Sequence, residues 1–87
     1  MDMQNYREQI DAIDNELLLI FKERMSVVRQ IALYKKENNL PALDATREKE
    51  KLAAIDEKTS DDLRPYAHKL YAFLFEISRE YQEGIIT

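Results

Sequence analysis

Between Met1 and Leu40 the chain has neither glycine nor proline, and a stripe of positions recurs at alternating steps of three and four. It runs through Ile10, Ile13, Leu17, Ile20, Arg24, Val27, Ile31 and Tyr34 to Asn38. Such spacing gathers one face of a helix. It predicts a single helix from Gln4 to Asn38, roughly 50 Å long at about 1.5 Å per residue. Asn38, Asn39 and Pro41 end it. Asp44 can accept a bond from a free backbone N–H, so it N-caps a second helix that reaches Lys58. Thr59, Ser60 and the two Asp that follow make a polar loop. Pro65 suits the first turn of a third helix, which runs to Glu83 ahead of Gly84. On that helix Phe73, Leu74, Ile77 and Tyr81 form the core-facing run. No repeat, low-complexity tract or flexible linker divides the chain, so residues 1–87 read as one all-α domain of three helices, one long and two shorter.

A helix of that length cannot hide its whole face behind two shorter ones. Its stripe fits the period of about 3.5 residues with which helices pack on each other. Pairing of the long helices in a homodimer answers the problem, and a parallel coiled coil competes with it.

Two positions on this face are wrong for a core. Arg24 lies in the stripe and Lys35 beside Tyr34, where leucine or isoleucine is expected. A cation facing a core costs several kcal/mol unless an anion meets it. No acidic residue interrupts the seam to do so. One such cation could snorkel to water or pair with a glutamate of a partner helix; two on one seam point to an external anion. Charge narrows the choice of anion. Thirteen Lys and Arg against 17 Asp and Glu leave a formal net charge of −4, which argues against nucleic acid, since phosphate-binding surfaces are basic. One small, buried anionic ligand fits better. Cysteine is absent, which removes disulfides, a thiolate nucleophile and a Cys-based zinc site, and one histidine argues against a multi-histidine metal site. There is no signal pattern at the N-terminus and no apolar run near the roughly 20 residues that span a bilayer. A cytoplasmic protein is expected.

Two further clusters carry polar chemistry. Asp44, Arg47, Glu48 and Lys51 are spaced by threes and fours, on one side of the second helix. Taken alone they read as a cap and surface ion pairs worth a few tenths of a kcal/mol each. Ser78 and Gln82 lie four residues apart, flanked by Tyr71 and Phe75. They mark either the place where a helix surfaces or the wall of a pocket. Arg7 sits at the stripe's edge, one turn before Asp11, and by itself reads as a solvated arginine. His68 turns away from the apolar face and reads as a surface residue.

In order and spacing, Arg7, Arg24, Lys35, the run Pro41-Ala-Leu-Asp44-Ala-Thr-Arg47-Glu48, and then Ser78 and Gln82 resemble the all-helical chorismate mutases. The resemblance implies an intertwined homodimer of three-helix subunits that converts chorismate to prephenate, at the branch leading to phenylalanine and tyrosine. It implies that Arg7, Arg24 and Arg47 bind the two substrate carboxylates, with Ser78 assisting. Lys35 and Gln82 contact the enolpyruvyl ether oxygen, Lys35 also reaching a carboxylate. Glu48 and the backbone at Asp44 hold the ring hydroxyl, and neither metal nor organic cofactor is needed. No prephenate dehydratase or dehydrogenase domain follows, which suits a stand-alone mutase or one piece of a fused enzyme.

Helix geometry constrains how such a site is assembled. Arg7 and Lys35 are 28 residues apart, about 42 Å on one straight helix, whereas Arg24 and Lys35 are only about 16 Å apart. Arg7 must therefore come from the other subunit. If it arrives between Arg24 and Lys35, the long helices run antiparallel and cross near Leu17 and Leu18, with two equivalent sites per dimer. A parallel coiled coil leaves Arg7 far from Lys35 in both chains. Related helical proteins eliminate pyruvate from isochorismate, so an isochorismate–pyruvate lyase is an alternative activity, although Asp44 and Glu48 suit chorismate's ring hydroxyl. A non-catalytic helical dimer, such as a regulatory module binding an aromatic metabolite, is the alternative outside enzymes; a mere scaffold gains nothing from cations on its seam.

Overall fold

The computed structural model describes residues 2–87, which form three helices: α1 (Met3–Glu37), α2 (Ala45–Lys58) and α3 (Arg64–Ile86). Each boundary has a local cause. The Asp2 carboxylate caps α1 by accepting from the Asn5 N–H, and Asp44 caps α2 by accepting from Arg47 N–H at 3.0 Å. These bonds satisfy donors that no helical carbonyl can reach. At the far end of α1, Asn39 takes the left-handed conformation (φ 57°). Leu40 N–H then bonds back to Lys35 O at 2.8 Å and Asn39 N–H to Lys36 O at 3.4 Å. This paired closure is a Schellman turn, and asparagine is among the few residues that tolerate its geometry.

The C-terminus of α2 is closed by a different device. Arg64 donates from Nε to Asp56 O and from Nη2 to Thr59 O, both at 2.8 Å, and pairs with Asp61 through Nη1. A cation on the last carbonyls also complements the helix dipole. In the same loop Ser60 Oγ donates to Asp62 at 2.7 Å, which holds that exposed carboxyl below the usual aspartate range.

α3 packs against both other helices. It runs in the same sense as α1, since Arg24 meets Ser78 and Lys35 meets Gln82. It is antiparallel to α2, since Glu48 meets Arg79 at one end and His68 meets Asp56 at the other. His68 is exposed, as the sequence suggests. α3 does not stop before Gly84: the glycine is helical, and the helix continues to Ile86. Glycine in a helix costs about 1 kcal/mol relative to alanine but does not forbid it, and partial burial of Ile85 and Ile86 opposes that cost.

The face of α1 that packs on α3 is not the stripe read from the sequence. Half-buried Phe21 and Met25 and buried Val28 and Ala32 form it, each one residue after Ile20, Arg24, Val27 and Ile31. One residue rotates a helix position by about 100°. Ile10, Ile13, Leu17, Ile20, Val27, Ile31 and Tyr34 are all exposed, Ile13 and Leu17 at 56%. Likewise Phe73 and Tyr81 are exposed and Leu74 and Ile77 half-buried, while Phe75, Ser78 and Gln82 are the buried residues of α3. Periodicity finds the width of an apolar surface but not which flank a neighbour covers, and α3 is too short to cover both. Leu17, Leu18, Phe21, Leu70, Leu74 and Ile77 instead line an apolar groove of about 500 Å³ between α1 and α3.

Buried apolar side chains are limited to Val28, Ala32, Ala42 and Phe75 among the described residues. The radius of gyration is 16.1 Å, against about 12 Å for a compact chain of this length. The long axis of 54 Å is essentially that of α1. None of the helices is long and apolar enough to cross a membrane.

Candidate functional site

Where the C-terminal half of α1, the start of α2 and the end of α3 meet, they enclose a cleft of about 510 Å³. Val28, Ile31, Ala42 and Phe75 supply apolar wall. The polar lining is lopsided: Arg24, Lys35, Arg47, Lys51 and Arg79 against Asp44 and Glu48, five cations to two carboxylates. The cleft therefore carries a formal charge of +3 inside a chain whose net charge is −4. Concentrating positive charge in a partly enclosed, apolar-walled space strengthens its field on an anion.

The two seam cations are held by α3. Arg24 Nη1 donates to Ser78 Oγ at 2.5 Å, and that hydroxyl in turn donates a hydrogen bond to Leu74 O at 2.7 Å. A hydroxyl can accept and donate at once, so Ser78, only 6% exposed, is satisfied while it steadies the guanidinium. Lys35 Nζ donates to Ala42 O at 2.7 Å and to Gln82 Oε1 at 2.8 Å. An ammonium has three protons, so one remains for another acceptor.

The same bond orients Gln82. With Oε1 turned to Lys35, its amide Nε2 is the remaining donor, and Gln82 is 7% exposed overall. Among the described residues no fully buried side-chain nitrogen or oxygen lacks a partner. The Nε2 group has no acceptor among the described residues, so it reaches accessible space. Lys35 and Gln82 thus form a paired donor unit, one charged and one neutral.

On α2, Asp44 spends one carboxylate oxygen on the cap, so the helix begins at the cleft's edge. This places Arg47, Glu48 and Lys51 within a turn of one another along the wall. Glu48 is engaged by Arg79 of α3 in an ion pair whose side chains are 23% and 30% exposed. The Glu48 carboxylate, as hydrogen-bond acceptor and as charge, pushes the Arg79 pKa above its ordinary value, helped by Glu76 and Glu83.

Seven of the eight polar residues that carry the resemblance thus converge: Arg24, Lys35, Asp44, Arg47, Glu48 and Gln82 line the cleft, and Ser78 supports Arg24; Lys51 lines it as well. Arg7 does not join them. It is exposed on the first turns of α1, about 25 Å along the helix from Arg24. Arg79 is the lining residue that sequence reasoning missed. Its partner lies 31 residues away on another helix, a relation that spacing within one helix cannot reveal; its position between Ser78 and Gln82 was the available signal.

Among the described residues no cluster of three or more His, Cys, Asp or Glu has the arrangement of a metal site. What the cleft offers is a set of cationic donors for an anion, Arg24 and Lys35 held by hydrogen bonds, beside a neutral amide and two carboxylates. Neither a curated protein nor a solved structure gives a significant match to the chain. The family model described as chorismate mutase type II does, over residues 6–83, a span that takes in Arg7, all three helices' cleft-lining side chains and Gln82. With nearly its full length matched, the chain belongs to the chorismate mutase type II family.

Proposed function

We propose that the protein is a chorismate mutase in the strict sense. It rearranges chorismate to prephenate in the cytoplasm, as a single-domain subunit of an intertwined homodimer and without metal or organic cofactor. Family membership supports the reaction type. The observation that carries the substrate assignment is the +3 cleft in an acidic chain, with Lys35 and Gln82 bonded to each other on its wall.

The reaction requires the flexible enolpyruvyl arm to be held over the ring, and it develops negative charge on the ether oxygen as the C–O bond breaks. Holding two reacting ends in an attack geometry removes much of the entropic barrier. In this reading Arg24 and Arg47 grip the two carboxylates, Arg24 braced by Ser78. Lys35 directs its free proton to the ether oxygen and reaches a carboxylate, while Gln82 Nε2 supplies the second donor. Fixed donors aimed at developing charge need no reorganisation during the reaction. Glu48 and the backbone at Asp44 take the ring hydroxyl. No nucleophile or general base is required.

The homodimer is proposed on two grounds. The exposed stripe of α1 and the apolar groove beside α3 form a contiguous surface of the kind that packs against another helix. Arg7, remote from the cleft in its own chain, reaches the partner's cleft if the two α1 helices run antiparallel and cross near Leu17 and Leu18. A two-fold axis then produces two shared sites.

The test is to incubate the protein with chorismate and with isochorismate and identify the products. Prephenate from chorismate is expected. Salicylate with pyruvate from isochorismate, without prephenate from chorismate, assigns the lyase instead; no turnover of either overturns an enzymatic role.

A further inference from the structure

We propose that Arg79 is a positioning residue: it holds the Glu48 carboxylate at the ring-hydroxyl side of the cleft and out of the cation cluster that grips the substrate. This deepens the mutase reading and depends on it for the identity of the hydroxyl.

Glu48 has cations on every side. Arg47 precedes it, Lys51 follows one turn later on the same face of α2, and Lys35 and Arg24 line the same cleft from α1. Pairs three residues apart on a helix face meet readily. A glutamate free to choose among these cations becomes an internal counter-ion, occupying groups that the substrate carboxylates need. Yet Glu48 is bonded to none of them; its partner is Arg79 on α3.

Arg79 has choices of its own. Glu76 and Glu83 lie three and four residues away on its own helix, close enough to raise its pKa. Its hydrogen bond nevertheless crosses to α2. The pair sits on the cleft wall with both side chains less than one-third exposed, where solvent screening is reduced and the geometry is held. Its effect on binding is indirect: it removes a competitor anion and leaves the remaining carboxylate oxygen free to accept from a hydroxyl.

A plain strut between α2 and α3 predicts lower thermal stability and nothing specific to Glu48. A positioning role predicts a defect in KM that disappears when Glu48 is already neutral. The experiment compares wild type, Arg79→Met, Arg79→Gln, Arg79→Lys, Glu48→Gln and the double variant Glu48→Gln/Arg79→Met by chorismate kinetics and thermal melting. Arg79→Met and Arg79→Gln should each raise KM about tenfold with kcat within about threefold, and Arg79→Lys should recover most of the loss. In the Glu48→Gln background the same Arg79→Met change should move KM less than about twofold, a non-additivity expected only of coupled groups. Arg79→Gln keeps an uncharged polar side chain, and together with the double variant Glu48→Gln/Arg79→Gln it repeats the comparison if Arg79→Met fails to fold. An unchanged KM, or an equal KM change in both backgrounds, overturns the proposal and leaves a strut.

Binding of succinate, followed by amide chemical shifts of Lys35 and Arg47, gives a readout without turnover. Weaker succinate binding in Arg79→Gln but not in the Glu48→Gln background supports the proposal even if wild type makes no prephenate, an outcome that overturns the mutase reading alone. Equal succinate affinity in wild type and Arg79→Gln overturns the positioning role.

Discussion

The two halves of α1 have the same helical regularity and opposite surroundings. From Phe21 to Lys35 the helix is anchored: Val28 and Ala32 are buried, Arg24 is bonded to Ser78, and Lys35 to Ala42 and Gln82. From Met3 to Ile20 every residue is exposed, including Ile10, Ile13, Leu17, Leu18, Leu19 and Ile20. Helical propensity alone does not sustain such a segment, because most helical stability in proteins comes from packing an apolar face. The difference teaches a division of labour. The anchored half builds a cleft from its own chain, while the open half carries Arg7 and a surface suited to a second copy.

The strongest way to break this comparison is to spoil the open half. Leu17→Asp introduces a carboxylate at the proposed crossing, two per dimer, each costing about 3–5 kcal/mol if buried unpaired. Analytical ultracentrifugation should show monomer, circular dichroism should show lost helix, and kcat/KM should fall by more than about 1,000-fold. A wild-type dimer in that variant removes the crossing from Leu17. The anchored half is broken differently: Lys35→Ala should lower kcat on the order of 100-fold, about 3 kcal/mol of transition-state stabilisation, with the dimer intact. Near-normal turnover would sink the assignment of Lys35.

The halves can then be tested against each other. Arg7→Ala chains and Lys35→Ala chains should each be poorly active, but refolded together they should recover about a quarter of wild-type activity. Half of randomly assorted dimers are mixed, and one of their two sites has both residues intact. Failure to recover, with mixed dimers shown by mass spectrometry, means that the two residues do not serve one shared site.

A smaller effect concerns pH. Gln82 does not titrate, so kcat should vary less than about threefold between pH 6 and 8. In Gln82→Glu the side chain donates only when protonated, so activity should be highest at low pH and decline as pH rises through the glutamic acid's pKa. A flat profile in that variant counts against Gln82 as the ether-oxygen donor. Smallest is Gly84→Ala. A Cβ there meets no heavy atom within 4 Å in the chain, and Gly84 is helical, so urea denaturation should show a gain of about 0.5–1 kcal/mol. Destabilisation would mean that a partner chain crowds that surface.

These contrasts also separate what one dimension encodes from what it does not. The three helices, the Asp44 cap and the Asn39 stop were legible because each depends on neighbours within a turn; the polar residues that meet from three helices were legible only through their resemblance, in order and spacing, to the chorismate mutases. The side of α1 that meets α3 was not, because the stripe through Ile13 and Leu17 and the one through Phe21 and Val28 are both apolar. Phe73 and Tyr81 have the spacing of core residues for the same reason, yet are exposed. Gly84 has the look of a stop because glycine commonly ends helices; whether it does depends on what the next residues can bury. Arg79 was invisible because its meaning lies in an acid on another helix.

The Schellman turn at Asn39 has one more consequence. It ties the backbone of Lys35 to Leu40, while the ammonium of the same lysine is tied to Ala42. Two residues later the chain reaches Asp44, whose cap starts the helix that carries Arg47 and Glu48. The connection is thus a ruler, gripping Lys35 at both ends and setting where α2 begins. One residue inserted between Asn39 and Asp44 can displace α2 by about 3.5 Å, the contribution of one extended residue, more than a hydrogen bond can follow. Surface loops usually absorb changes of length between relatives; this one should drift in composition while its residue count stays fixed.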